Sequence, residues 1–319
     1  MRITPVLVAA TFLSFTGPAA STAWAADAPP GAPLTVRAVQ TPAAVIVDPH
    51  PDKAHPPGLA DVRIDSHGSA MNAVLYTAAG AGPHPAVVLF HGFPGNEQNL
   101  DLAQAIRRAG FTVLTLHYRG AWGSPGAFSF THALEDSDVA VAWMRDPANV
   151  AKYHLDPRRI FVAGHSMGGM MAASAAAHDP KIAGLVMISA WDIGAGAPHF
   201  ADPEFRKKQL EGDFAANVIP LATTPDALMD EMVANAAKWE FVDYASVLKS
   251  RPALILTADD GLTPDNQRLA AALKSAGDSD VTEEHVATDH SYSDHRIGLE
   301  STVVRWLERH QAAAGEAMQ

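Results

Sequence analysis

Apolar and polar positions change rhythm several times along this 319-residue chain, and the changes divide it. The first segment opens with Arg2, continues through an apolar stretch from Ile3 to Phe15, and ends in small residues at Ala23-Trp24-Ala25. That is the layout of a secretory signal peptide over residues 1–25, with cleavage expected after Ala25. Residues 26–58 are rich in Ala and Pro without a sustained period, which predicts an extended linker leading into a folded body at 59–319. In that body, Val62 to Asp65 and Asn72 to Tyr76 flank Ser66-His67-Gly68-Ser69, the pattern of an antiparallel hairpin at a sheet edge.

Short apolar runs then alternate with helically spaced segments. The runs are Pro85 to His91, Phe111 to Leu116, Ile160 to Ala163, Ile182 to Ser189, Ala253 to Thr257 and Val281 to Ala287. Between and after them, Leu100 to Ala109, Ala133 to Met144, Met167 to Ala177, Pro264 to Ser275 and Asp294 to Arg309 carry helical spacing. Continuously apolar strands separated by amphipathic helices predict an α/β protein with a mostly parallel central sheet flanked by helices on both faces. Trp191 to Lys249 breaks the rhythm with a polar, helical stretch containing Pro198, Pro203, Pro220 and Pro225. It reads as a small helical lid inserted over about residues 191–250 and standing above the sheet. Its aromatic residues, Trp191, Phe200, Phe205, Phe214, Trp239 and Phe241, either line an apolar pocket or pack the lid onto the body.

Composition narrows the partners. The body is long enough for one sizeable core and short for two enzymatic domains. With 23 Lys and Arg against 35 Asp and Glu, the formal charge is -12. That sign repels phosphate backbones and anionic headgroups, so no nucleic-acid partner is expected. The body has no apolar run of about 20 residues, so no membrane span is expected either. Because the chain has no cysteine, disulfides and a lipid-modified cysteine are excluded. Together with the N-terminal segment, this predicts a free periplasmic or secreted protein; nothing in the sequence sets its oligomeric state.

The chemistry is concentrated at the ends of the predicted strands. Gly164-His165-Ser166-Met167-Gly168 follows a strand and precedes a helix, the context in which Gly-x-Ser-x-Gly forces a serine into a sharp turn with its hydroxyl exposed. Ser166 is therefore the candidate nucleophile, and the glycines let strand and helix approach. His91-Gly92-Phe93-Pro94-Gly95 follows an earlier strand. There the Phe93 N–H, with that of Met167, can form an oxyanion hole; Pro94 has no N–H to offer.

A serine hydroxyl needs a histidine to take its proton and a carboxylate to hold that histidine in one tautomer. The expected chain order is serine, acid, histidine. Asp259 and Asp260 both precede Gly261-Leu262-Thr263-Pro264, where Thr263 is expected to cap a helix that starts at Pro264. Asp260 is preferred over Asp259 because of its place in the loop. For the base, His290 lies between the last strand and the last helix, and is preferred over His285 within the strand and His295 in the first helical turn. His165 is expected to pack in the turn and not to act as a second base. His50 and His55 lack further ligands, so no metal and no cofactor are predicted.

Taken in order, His91-Gly92-Phe93, Tyr118-Arg119-Gly120 with Gly123-Ser124, Gly164 through Gly169, Asp260 through Pro264 and Asp289-His290-Ser291-Tyr292 resemble the α/β-hydrolase superfamily. The branch most similar is that of dienelactone hydrolases and of the catalytic domains of acylaminoacyl and prolyl peptidases. The resemblance spans about Val62 to Trp306 and implies an α/β-hydrolase fold, with Tyr118-Arg119-Gly120 shaping the rim of the site without being catalytic. Two departures stand out. Dienelactone hydrolases commonly use a cysteine nucleophile, which this chain lacks, and Asp27 to Gly58 is far too short for the N-terminal propeller of the peptidases.

Three functions follow for a small-molecule ester or short peptide substrate. The first is hydrolysis of carboxylic esters of short to medium acyl chain through an acyl-enzyme. The second is an exopeptidase or amidase with the same triad, which needs an anchor for the substrate amine; Glu204, Glu211 and Glu240 are the candidates in the lid. Exposed helical carboxylates are usually solvated, so the ester reading is preferred. A third function is a non-catalytic binding module on a hydrolase scaffold.

Overall fold

A computed structural model describes the backbone of residues 41–316 and the side chains through residue 311, so the expected signal peptide at 1–25 lies outside the described residues. The first hairpin closes at His67 and Gly68, which take φ of 49° and 81°. Two positive-φ residues make the connection whose twist suits paired antiparallel strands. It joins β1 (Gly58–Ser66) to β2 (Ser69–Thr77), with Ser66 opposite Ser69 and Gly58 opposite Thr77.

Six more strands complete one eight-stranded sheet: β3 (His84–Phe90), β4 (Thr112–Leu116), β5 (Leu155–His165), β6 (Gly184–Ile188), β7 (Ala253–Ala258) and β8 (Val281–Val286). Their order is β1-β2-β4-β3-β5-β6-β7-β8. From β4 onward every pairing is parallel, and β2 meets β4 antiparallel. Successive side chains alternate between two cores. Ala86, Val88 and Phe90 of β3 face one core with the helices Phe130–Arg145, Met167–His178 and Thr263–Ser275. Val87 and Leu89 face the other with the helices Leu100–Arg108 and Arg296–Glu316. Both faces of the central strands are dry, which is why these segments read as unbroken apolar runs. On the outer strand β8, Glu283, Glu284 and His285 are exposed, and charge on an open edge discourages pairing with a second chain.

Three local expectations are corrected. Thr263 does not cap its helix: Leu262 holds that position, and the Thr263 hydroxyl donates instead to the Ala258 carbonyl at 2.9 Å. The linker is not extended throughout, because Ala43–Ile46 forms one helical turn whose Val45 carbonyl accepts from Arg108 Nη2 at 3.3 Å. A helix at Pro147–Tyr153 was not expected; Asp146 caps it by accepting from the Ala148 N–H at 2.9 Å, with Pro147 in the first turn.

The insertion folds into short helices, the longest being Pro203–Leu210, Asp213–Val218 and Pro225–Asn235. Pro203 and Pro225 start helices, directly after caps at Asp202 and Thr224. The lid is tied to the body by backbone bonds: Ala222 N–H donates to the Gly120 carbonyl at 2.7 Å, and Phe128 N–H to the Ala222 carbonyl at 3.1 Å.

At the base of the lid, Asp192 accepts from the Ala195 N–H at 3.0 Å, while its other oxygen is fully buried without a hydrogen bond, 3.6 Å from the Arg268 guanidinium. Burial pushes its pKa up to about 6. Between the ordinary carboxylate range and that value the native state holds more protons than the unfolded chain, so this group's contribution to stability falls as pH rises. We expect Asp192→Asn to gain stability relative to the parent by about 1–2 kcal/mol between roughly pH 4 and pH 7, read by urea unfolding at both. A difference that does not change with pH would contradict this.

Candidate active site

Strand β5 ends at His165 and a helix begins at Met167, leaving Ser166 to make the whole turn, with φ 57° and ψ -124°. Non-glycine residues rarely adopt such a conformation, and it persists only where the surroundings hold it. Here the Ser166 N–H donates to the Ile188 carbonyl at 3.0 Å, and its carbonyl accepts from Gly169 and Trp191, both at 2.9 Å. The flanking glycines are required by space. A Cβ on Gly164 would stand 1.9 Å from the Gly168 carbonyl oxygen, and one on Gly168 would stand 2.1 Å from that of Phe90. Gly92 lies against the serine itself, where a Cβ would come within 2.8 Å of Ser166 Cβ.

His290 and Asp260 meet at the same sheet edge. His290 Nδ1 donates to Asp260 Oδ2 at 2.7 Å, which leaves Nε2 with its lone pair free to accept a proton. Asp260 is almost fully buried and also accepts from the Leu262 N–H at 3.0 Å. Burial raises its pKa, but the hydrogen bonds from His290 and Leu262 outweigh it and hold the carboxyl below its ordinary value. The carboxylate is therefore charged at neutral pH. The alternatives lie elsewhere. Asp259 pairs with His285 Nε2 at 3.1 Å with both side chains exposed, and His295 pairs with its neighbour Asp294 at 2.9 Å on the surface. Among the described residues no hydrogen bond joins Ser166 Oγ to His290, and unliganded sites of this kind often close such contacts only around substrate.

The Phe93 and Met167 N–H groups donate to no acceptor among the described residues, so both remain available to a developing oxyanion. The loop carrying Phe93 is held by its neighbours. His91 Nδ1 lies 2.7 Å from the Gly92 carbonyl, so that nitrogen carries the proton, and His91 Nε2 accepts from His117 Nδ1 at 3.3 Å. Burial lowers the His91 pKa to about 4, and the ring is neutral, as this one-donor, one-acceptor arrangement requires. The Tyr118 hydroxyl donates to the His91 carbonyl at 3.1 Å, and the Trp122 indole donates to that of Pro94 at 2.7 Å.

His165 does more than pack. Its Nε2 donates to the His290 carbonyl at 2.8 Å, and the two rings lie 4.5 Å apart. Burial, aided by repulsion from His290, lowers its pKa to about 3, so it cannot serve as a second base near neutrality. Sequence reasoning missed the group behind Tyr118-Arg119-Gly120. Buried Asp136 accepts from Arg119 Nε at 2.6 Å, from the Arg119 N–H at 2.7 Å and from the Ser66 hydroxyl at 2.6 Å. Its signal was present: Asp136 shares the buried helical face of Ala133, Ala140 and Met144, where an unpaired carboxylate would be costly.

The lid aromatics divide. Phe200, Phe214, Trp239 and Phe241 are buried and pack the lid onto the body, whereas Trp191 and Phe205 are half-buried. Phe214 stacks on Phe93 at 5.4 Å between centroids, and Trp191 lies 6.3 Å from the same ring. Among the described residues, no cluster of three His, Cys, Asp or Glu side chains is arranged to hold a metal ion.

Comparison with known proteins bears on the fold. A family model for the alpha/beta hydrolase fold matches residues 85–234. An uncharacterized protein of Mycobacterium tuberculosis is 32% identical over 139 residues, 43% of this chain and 47% of that one. Esterase EstD of Thermotoga maritima is 28% identical over 151 residues, covering 44% of this chain and 34% of the esterase. The matched region thus spans less than half the length of these curated relatives. Among solved structures, Est1E from Butyrivibrio proteoclasticus superposes with a TM-score of 0.61 at 19% identity, over 79% of this chain and 99% of Est1E. At that identity the likeness speaks for the fold alone.

Proposed function

This chain has the α/β-hydrolase fold, and from that premise we propose that it is a serine hydrolase cleaving carboxylic esters of short to medium acyl chain through an acyl-enzyme. The observation that carries the reading is the strained turn at Ser166 on the same sheet edge as the His290–Asp260 hydrogen bond. In this mechanism Ser166 Oγ attacks the ester carbonyl carbon while its proton passes to His290 Nε2. Asp260 holds the tautomer and offsets the charge of the imidazolium that forms. The N–H groups of Phe93 and Met167 take the negative charge gathered on the carbonyl oxygen. Collapse of the tetrahedral intermediate expels the alcohol, which receives the proton from His290. Water then repeats the sequence on the acyl-enzyme, releasing the acid and free Ser166.

The names of similar proteins support an ester substrate, since EstD is called an esterase. The amide alternative lacks support from its candidate anchors. Glu204 and Glu211 are exposed, and Glu240 faces Arg268 at 3.6 Å. The lid argues for a short acyl group, because its buried rings fill space over the body, and the half-buried Phe93 and Trp191 flank the serine turn, Trp191 N–H donating to the Ser166 carbonyl at 2.9 Å and Gly92 lying against Ser166.

Wild-type protein should label with a fluorophosphonate at Ser166, and kcat/KM on aryl esters should peak at short to medium acyl length. Each methylene that fits adds up to about 0.8 kcal/mol, and each that does not costs packing. A monotonic rise to long chains, or faster cleavage of aminoacyl anilides than of any ester, would count against the reading. Absence of labelling would favour a binding module. We further propose export, on the strength of Arg2, the apolar stretch and Ala23-Trp24-Ala25. A mature N-terminus at Ala26 would support it, and an intact Met1 in the purified native protein would refute it.

A further inference from the structure

We propose that His117 and Trp122, on the loop after β4, are positioning residues that aim the Phe93 N–H at the reacting carbonyl. The proposal rests on the reading of Phe93 as an oxyanion donor. A peptide unit is planar, so the direction of the Phe93 N–H is set by that of the Gly92 carbonyl on the other side of the same bond. That carbonyl accepts from His91 Nδ1 at 2.7 Å.

His91 can donate there only if its proton is on Nδ1, and His117 is placed to reinforce that tautomer. With the His91 proton on Nδ1 facing the Gly92 carbonyl, Nε2 is the acceptor and His117 Nδ1 the donor at 3.3 Å, which stabilises that arrangement. The other tautomer would set a bare nitrogen against a carbonyl oxygen. Trp122 restrains the Pro94–Gly95 peptide, the second beyond the one that carries the Phe93 N–H, its indole N–H donating to the Pro94 carbonyl at 2.7 Å. The indole is itself placed by the lid. Trp122 sits at φ 48° with its own N–H donating to the Pro220 carbonyl at 3.3 Å. A Cβ on Gly95 would come within 2.7 Å of both the indole nitrogen and the His91 ring, so the three groups are in close packing.

Both residues keep solvent access, His117 half-buried and Trp122 39% exposed, so substitutions can remove their N–H groups without opening the core. The test compares Trp122→Phe, His117→Leu and His117→Asn with wild type on a short-chain aryl ester, folding being checked by circular dichroism. The amide of Asn keeps a donor close to the position of His Nδ1. Expected are a fall in kcat of about tenfold or more for Trp122→Phe and His117→Leu, with KM within about twofold, and near-normal kcat for His117→Asn. The inhibition constant of a trifluoromethyl ketone, which forms the tetrahedral adduct, should rise in step with the loss of kcat/KM.

Variants within twofold of wild type, a loss confined to KM, or His117→Asn as impaired as His117→Leu would overturn the proposal. If wild-type Ser166 is not labelled by a fluorophosphonate, the site reading itself fails. A labelled, active wild type with unaffected variants removes only the positioning role.

Discussion

Alanine at Ser166 is expected to abolish fluorophosphonate labelling and to lower ester turnover by at least about 10^4-fold, with thermal unfolding close to that of the parent. The reason is chemical and local. Among the described residues, only the Ser166 hydroxyl stands in a turn that is strained, tied to β6 through the Ile188 carbonyl, and flanked by two N–H groups without acceptors. Removing Oγ deletes the nucleophile but leaves the backbone bonds to Ile188, Gly169 and Trp191 that hold the turn. Ala retains the Cβ against Gly92, so packing there is preserved. Labelling of another serine in the folded variant, or turnover within tenfold of wild type, would show that the nucleophile lies elsewhere.

Asn at Asp260 should lower kcat/KM by about 10^3 to 10^4-fold, the scale on which loss of the tautomer-fixing carboxylate acts. An amide can offer an N–H where His290 Nδ1 needs an acceptor, and it cannot offset the imidazolium charge. The carboxylate is buried and held ionised by His290 and Leu262, so no nearby group can replace it from solvent. Asp259→Asn should change kcat/KM by less than about twofold, because Asp259 belongs to an exposed pair with His285.

In the same experiment the acid limb of the wild-type pH profile should follow one proton, since only neutral His290 can take the serine proton. His91 and His165 add no step between about pH 5 and 9, because burial keeps their pKa values at about 4 and about 3. Greater damage from Asp259→Asn than from Asp260→Asn would reverse the assignment.

How much of this was legible before the structure depended on whether the deciding contacts were local in sequence. The hairpin around His67-Gly68 and the run of buried strands followed from period and turn chemistry, which neighbouring residues carry. The Thr263 cap failed because a second acceptor is local too: the Ala258 carbonyl at the end of β7, five residues earlier, takes its hydroxyl. The helix after Asp146 could have been read, since Asp-Pro is a start signal, but it is only seven residues long and shows little period.

At the site, residue types and chain order made Ser166, Phe93, Met167 and a short choice of acids and histidines readable. A Gly-x-Ser-x-Gly turn is a local constraint, and backbone N–H groups exist wherever the residue is not proline. What the chain alone left open, and the tertiary structure decided, is which partners meet. Asp259 and Asp260 are adjacent in sequence, yet one points to an exposed His285 on β8 and the other to His290 at the sheet edge. His165, His117, Trp122 and Asp136 likewise acquire their roles through hydrogen bonds to groups 125, 26, 28 and 17 positions away. Periodicity and propensity are properties of neighbours along the chain, whereas a hydrogen bond between distant loops exists only once the sheet has set their separation and direction.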